Sequence, residues 1–307
     1  MGAKSGIEWT EATWNPVTGC DKVSQGCKHC YALAQAKRLQ AMGSARYANG
    51  FKVTTHQDVL ELPYRWQRSR RIFVNSMSDL FHKDVPDGFI AWVFDVMGQA
   101  SQHTYQILTK RPERMAEFCR RWSDHVEPDA PPICMARGPA ETRQAYRSGR
   151  AMLFADMLDE MGPPPEDAAY PTYGWLEGQR WWPAVLPNVW LGTSVESQDV
   201  IDRVRLLTET PAAVRFLSCE PLLGPLDLAP YLDKIDWVIV GGESGPHARP
   251  MEADWVRGVR DQCLAAGTAF FFKQWGGRTS HRGHEEAVLD GELWKQMPEV
   301  LGRGLGC

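Results

Sequence analysis

Asp236 to Gly277 reads DWVIVGGESGPHARPMEADWVRGVRDQCLAAGTAFFFKQWGG. Trp237 to Val240 and Phe270 to Phe272 are short runs of successive apolar residues, the pattern of strands buried on both faces. Between them, Ala253 to Ala266 sets Trp255, Val256, Val259 and Cys263 at helical spacing. Strand, helix, strand is the unit of a parallel sheet with right-handed crossovers.

The same rhythm extends toward the N-terminus. Apolar runs ending in polar clusters recur at RRIFVNSMSD (70–79), TYQILTKRPER (104–114), NVWLGTSVES (188–197) and AVRFLSCEPLLG (213–224). Helix-compatible segments follow at Asp87 to Ala100 and Gln198 to Thr208. With a first strand near Val17 to Gly19, about seven βα-like units result. The expected fold is α/β, a TIM-type (βα) barrel, eight-stranded or slightly incomplete, with an open doubly wound sheet as the second choice. Residues 119–186 break the rhythm with EPDAPP, GPPPEDAAYP and WWPAVL. That interval exceeds ordinary loop length and reads as an inserted lid or subdomain carrying Trp175, Trp181 and Trp182. The division is thus 1–118 (first part of the barrel, with the cysteine loop), 119–186 (insertion), 187–277 (second part) and 278–307 (C-terminal extension). In the last, LDGELWKQMP is expected to fold back as a small element.

The bulk numbers exclude some classes. Hydrophobic residues make up 43% of 307, and the formal net charge is −4, so there is core enough but no general pull toward nucleic acid. No stretch approaches the ~20 apolar residues of a membrane span, and the polar N-terminus lacks the apolar core of a signal peptide. A soluble cytoplasmic protein is the expectation, in which eight cysteines form no disulfide framework.

Three of those cysteines crowd into TWNPVTGCDKVSQGCKHCYALAQAKRL as Cys20, Cys27 and Cys30, spaced Cys-x6-Cys-x2-Cys ahead of a helix-compatible run. Three thiolates can hold three irons of a [4Fe–4S] cluster and leave the fourth open. The helix start would turn its amides toward the anionic sulfurs. Zinc is the competing ion and wants four ligands. His29 is poorly placed between Cys27 and Cys30, but Cys219 or a distant histidine would complete the set.

Ligands in parallel α/β folds bind at the carboxyl ends of the strands. Here those ends carry Asn75-Ser76-Met77-Ser78-Asp79, Thr109-Lys110-Arg111, Ser194-Val195-Glu196, Ser218-Cys219-Glu220, Gly241-Gly242-Glu243 and Lys273-Gln274-Trp275. S-adenosylmethionine (SAM) suits such a set. Asp79, Glu196 or Glu220 would accept from its amine or ribose, Lys110 or Arg111 would pair with its carboxylate, and Gly241 and Gly242 would admit backbone close to it. The basic clusters Arg65 to Arg71 and Lys110 to Arg114 are candidates for meeting phosphates.

TWNPVTGCDKVSQGCKHCYA, FVNSMSDLFH, LTKRPERM, NVWLGTSVE, RFLSCEPLLGP, WVIVGGESGPHARPM and FFKQWG together resemble a phage-associated three-cysteine-motif family of radical SAM-like proteins, similar to spore photoproduct lyase-like enzymes. The resemblance covers nearly everything except 119–186. It implies Cys20, Cys27 and Cys30 as cluster ligands, His29 in the position of an aromatic residue near the adenine, and Ser76 to Asp79 in place of the Gly-Gly-Glu that holds the SAM amine. The first cysteine gap is six residues where the superfamily commonly has three. Gly241 to Glu243 comes too late in strand order to be that Gly-Gly-Glu. The resemblance further implies reductive cleavage of SAM to a 5′-deoxyadenosyl radical, a nucleobase or nucleic-acid substrate (DNA modification or repair), an external electron donor and a three-Cys-motif partner protein. The rival readings are a zinc-stabilised nucleic-acid-binding protein without catalysis and an iron–sulfur electron carrier, whose fourth ligand would come from Cys219 or another remote cysteine.

Overall fold

The computed structural model describes residues 5–124, 185–277 and 287–299. The main sheet comprises β1 (Ala12–Trp14), β4 (Arg71–Val74), β5 (Thr104–Thr109), β6 (Val189–Ser194), β7 (Val214–Cys219), β8 (Trp237–Gly241) and β9 (Ala269–Gln274), in that spatial order. All six pairings are parallel. The first strand therefore lies five residues earlier than expected. Val17–Thr18 (β2) instead pairs antiparallel with Thr54–Thr55 (β3). Pro16 intervenes between β1 and β2, and the side-chain carbonyl of Asn75 accepts the Val17 N–H at 3.1 Å, which redirects the chain.

Spatial order follows chain order without a reversal, so the doubly wound alternative, which needs one, is excluded. The helices are α1 (Tyr31–Ala41), α2 (Asp87–Gln99), α3 (Pro112–Asp124), α4 (Asp202–Thr208) and α5 (Ala253–Ala266). The α5 limits coincide with the expected ones; α4 starts later than expected, after a 3₁₀ turn at Gln198–Val200. Buried residues of α2 to α5 join one core with Ile72, Val74, Tyr105, Ile107, Leu191, Val238 and Phe270. The alternate strand residues, Phe73, Trp190, Val214, Phe216, Trp237, Ile239 and Phe271, form a second core with Trp9, and no described helix enters it. A parallel sheet shielded by helices on one face must bury the other against itself. The sheet accordingly curls into a seven-stranded half-barrel, compatible with the incomplete form of the expected barrel.

Trp237 fills the interior, with the rings of Trp9, Trp190, Phe216 and Phe271 at centroid distances of 5.8–6.1 Å. Gly192 makes this possible: a Cβ there would lie 2.5 Å from the Phe216 ring. The hairpin of β10 (Val288–Leu289) and β11 (Glu292–Leu293) leads into a segment beside β9. There the Phe272 N–H donates to Trp294 O and the Gln296 N–H to Phe270 O, covering an edge that would otherwise be open. The expected insertion lies outside the described residues over 125–184, Trp175, Trp181 and Trp182 included, and α3 with buried Cys119 and Trp122 runs through its first residues. Among the described residues no helix is long and apolar enough to cross a membrane.

Candidate functional site

The cysteine loop spans the carboxyl end of the sheet. It begins at Gly19, whose φ of +85° and approach to Lys52 O (2.2 Å from a built Cβ) admit no side chain. Cys20 follows directly, Cys27 closes a 3₁₀ turn, and Cys30 is the residue at which α1 starts. No side chain caps α1 and no acidic residue occupies its first turn, so its amides and positive dipole end are left for an anion beside Cys30. All three thiols are half-buried and free. Among the described residues, only Asp21, His82 and Asp84 bring three ligand atoms within 4.8 Å of one another; the sulfurs stand wider. Tetrahedral zinc with ~2.3 Å bonds needs sulfurs ~3.8 Å apart. The Asp21 group is a hydrogen-bond network, since His82 Nδ1 accepts the Asp84 N–H (3.2 Å) and Nε2 faces Asp21 (3.1 Å).

Cys219 cannot complete a ligand set with this loop. It is fully buried on the helix-covered face, in the same core as Cys263, and burial pushes its thiol far up. Strand parity decides this: Ser218 and Glu220 face inward, and the residue between them faces out.

Three strand ends grip the loop through buried carboxylates. At the first, Asp79 accepts from the Phe81 and Lys110 N–H groups, the Thr109 hydroxyl and Arg111 Nη1, at 2.7–3.1 Å. Arg111 passes this on to the loop, with Nη1 3.5 Å from Cys20 Sγ and Nη2 3.3 Å from Asp21 O. At the second, Glu196 is wholly buried and accepts from the Gly26 N–H and from Arg203, each at 3.1 Å. Burial acts to raise its carboxyl, but Lys110, Ser24, Arg203 and the Gly26 amide outweigh burial and hold it below the ordinary range. At the third, Glu243 accepts from His29 Nδ1 (3.0 Å) and from the backbone N–H, Nε and Nη2 of Arg249 (2.6–3.0 Å). Burial again pushes upward, and the Arg249 and His29 bonds bring this carboxyl down to about 2. An ionised Glu243 only accepts, so His29 carries its proton on Nδ1.

The segment Ser76 to Asp79 lies beneath the loop. Met77 packs on Ala32, Ala36 and Cys30, its carbonyl accepts the Gly19 N–H, Ser78 Oγ donates to Val17 O, and Ser76 Oγ donates to Asn15. The Tyr31 hydroxyl donates to Ser76 O.

On the inward face above the aromatic core stand Lys110, Ser194, Ser218, Glu220, Gly241 and Lys273. Ser194 and Ser218 are register partners. Glu220 is held by Ser218 Oγ (3.0 Å) and Lys273 Nζ (2.6 Å). Gly241 leaves room for it, a Cβ there lying 3.0 Å from Glu220 Oε1. Gly242 answers to a different contact, the Trp275 carbonyl, 2.0 Å from where its Cβ would be. Arg65 and Arg68 of the first basic cluster are exposed, while most of the other arginines of the two clusters are engaged within the fold. Arg114 and Arg121 pair with Asp87, Arg71 lies near Glu11, and Arg70 lies over Trp66.

Sequence reading missed Gly26, Arg203 and Arg249. Gly26 and Glu196 are 170 positions apart, and no local pattern links them. The nearest signal to Arg249 was its position six residues after Glu243 in a turn-rich segment.

The family model described as "Protein of unknown function (DUF5131)" matches residues 4–298. No curated protein matches the chain. Among solved structures, a cysteine-to-serine mutant of spore photoproduct lyase is similar over 89% of this chain and 78% of its own, at 9% identity and a TM-score of 0.45. The same enzyme complexed with dinucleoside spore photoproduct is similar over 80% of this chain and 58% of its own, at 10% identity and a TM-score of 0.37.

Proposed function

We propose that this chain, which belongs to the DUF5131 family, is a radical SAM enzyme whose [4Fe–4S] cluster is held by Cys20, Cys27 and Cys30. One observation carries the reading. Three thiols outside any disulfide, without a fourth cysteine beside them among the described residues, share a loop that contacts from Glu196, Glu243 and Arg111 hold at the mouth of a half-barrel. Three sulfurs are the ligand number that leaves one iron open. When bound, the cluster and SAM together supply an electron and a 5′-deoxyadenosyl radical.

The chain's own residues divide into two groups under this reading. Asp79, Glu196, Glu243, His29, Ser76 and Met77 hold the loop. Lys110, Ser194, Glu220, Gly241 and Gly242 are left to receive SAM. The Lys110 ammonium, whose charge also acts on Glu196, stands on the inward face and suits the SAM carboxylate. Glu220, among the described residues the inward carboxylate not tied to the loop, is held by Lys273 and suits the amine or the ribose hydroxyls. The aromatic core below excludes water from the base of the cleft. The substrate class we assign is a nucleobase or nucleic acid, as in DNA modification or repair. It rests on the resemblance of the motifs, since most of the arginines of the two basic clusters are engaged within the fold. The reaction also requires an external electron donor, and the resemblance adds a three-Cys-motif partner protein.

Anaerobic reconstitution tests the proposal. The expected product is a brown protein with ~four irons per chain that converts SAM to methionine and 5′-deoxyadenosine after dithionite reduction. Cys27→Ala is expected to lose both colour and cleavage. A colourless protein with one zinc, or a colour that survives without SAM cleavage, overturns it.

A further inference from the structure

We infer that Arg111 raises the reduction potential of the cluster, and that the charge of the Asp79 carboxylate behind it offsets part of that rise. The inference rests on the cluster reading above and reassigns Arg111 from the SAM carboxylate to a ligand sulfur. Its guanidinium stands between two partners: Nη1 is 2.9 Å from Asp79 Oδ2 and 3.5 Å from Cys20 Sγ. The Arg111 side chain is only 14% exposed and that of Asp79 7%, so water screens neither strongly.

The carboxylate cannot swing away. Three other donors hold it, the Thr109 hydroxyl at 2.7 Å, the Phe81 N–H at 3.0 Å and the Lys110 N–H at 3.1 Å. Thr109 Oγ1 also accepts the Arg111 N–H at 2.9 Å, fixing the start of the side chain as well as its end. An N–H donor and positive charge at a cluster sulfur favour the reduced, more negative form, and hydrogen bonds to sulfur are among the levers that set such potentials. The anion behind the cation opposes it. The two residues therefore pull the potential in opposite directions, which a purely structural pair would not do.

The test is a redox titration of reconstituted protein followed by electron paramagnetic resonance, with iron content measured on each sample. Arg111→Met leaves Asp79 uncompensated and is expected to shift the one-electron equilibrium toward the oxidised form by roughly tenfold, about 59 mV lower. Asp79→Asn is expected to shift it the other way. Arg111→Lys, which keeps the charge, should fall between wild type and Arg111→Met. Equal potentials in wild type and Arg111→Met at equal iron content, or shifts of the same sign in Arg111→Met and Asp79→Asn, overturn the inference while leaving the cluster standing. A wild-type chain that takes up no iron overturns both.

Discussion

Replacing Glu243 by Gln isolates the grip of the last strands on the cysteine loop. The carboxylate, with a side chain 5% exposed, receives four hydrogen bonds, one from His29 and three from Arg249. Its folded value of about 2 against ~4.3 for a free glutamate corresponds to ~3 kcal/mol of stability at neutral pH. Arg249 is 23% exposed and recovers part of its hydration when its partner is lost, so Glu243→Gln is expected to cost ~2 kcal/mol. In a urea titration that is a midpoint lower by ~1 M at a slope of ~2 kcal/mol/M. The pH dependence carries a definite sign. A carboxyl whose value is depressed by folding stabilises fully above the unfolded value and loses that contribution as pH falls toward the folded one. The wild type therefore gives up part of this contribution between pH 7 and pH 4, and the gap between wild type and Glu243→Gln narrows. Equal midpoints at pH 7, or a gap that stays constant or widens at pH 4, would refute the reasoning.

Three further outcomes are expected. Gly26→Ala places a Cβ 2.9 Å from the Glu196 carboxyl carbon and should lower thermal stability by ~1–3 kcal/mol, with poorer iron retention on reconstitution; an unchanged melting temperature and iron content would contradict the close packing. Cys219→Ala should retain full iron content, because that thiol lies on the outer face, and iron loss would show that the residue reaches the loop after all. Trp237→Ala removes the centre of the inner core and should cost ~3–5 kcal/mol in chemical denaturation; a cost below ~1 kcal/mol would mean that the aromatic core does not hold the curl.

What the residues determined alone is local. Successive apolar positions in WVIV and FFF marked buried strands, the spacing of Trp255, Val256, Val259 and Cys263 marked α5 to the residue, and the closeness of Cys20, Cys27 and Cys30 marked the candidate cluster loop. Each signal lies within a few turns or one strand, where periodicity and composition act directly. The first strand was misplaced because Ala12–Trp14 is too short to show a period. What only the tertiary structure decided is which polar strand end meets what. Ser218, Cys219 and Glu220 look alike as candidates in one dimension; the two-residue repeat of a strand turns Glu220 into the cleft and Cys219 into the helix-covered core. Likewise Glu196 meets Gly26 across 170 positions and Glu243 meets His29 across 214. Those meetings exist because the sheet curls and brings its late strands over its first loop, and no local pattern encodes a contact that closure creates.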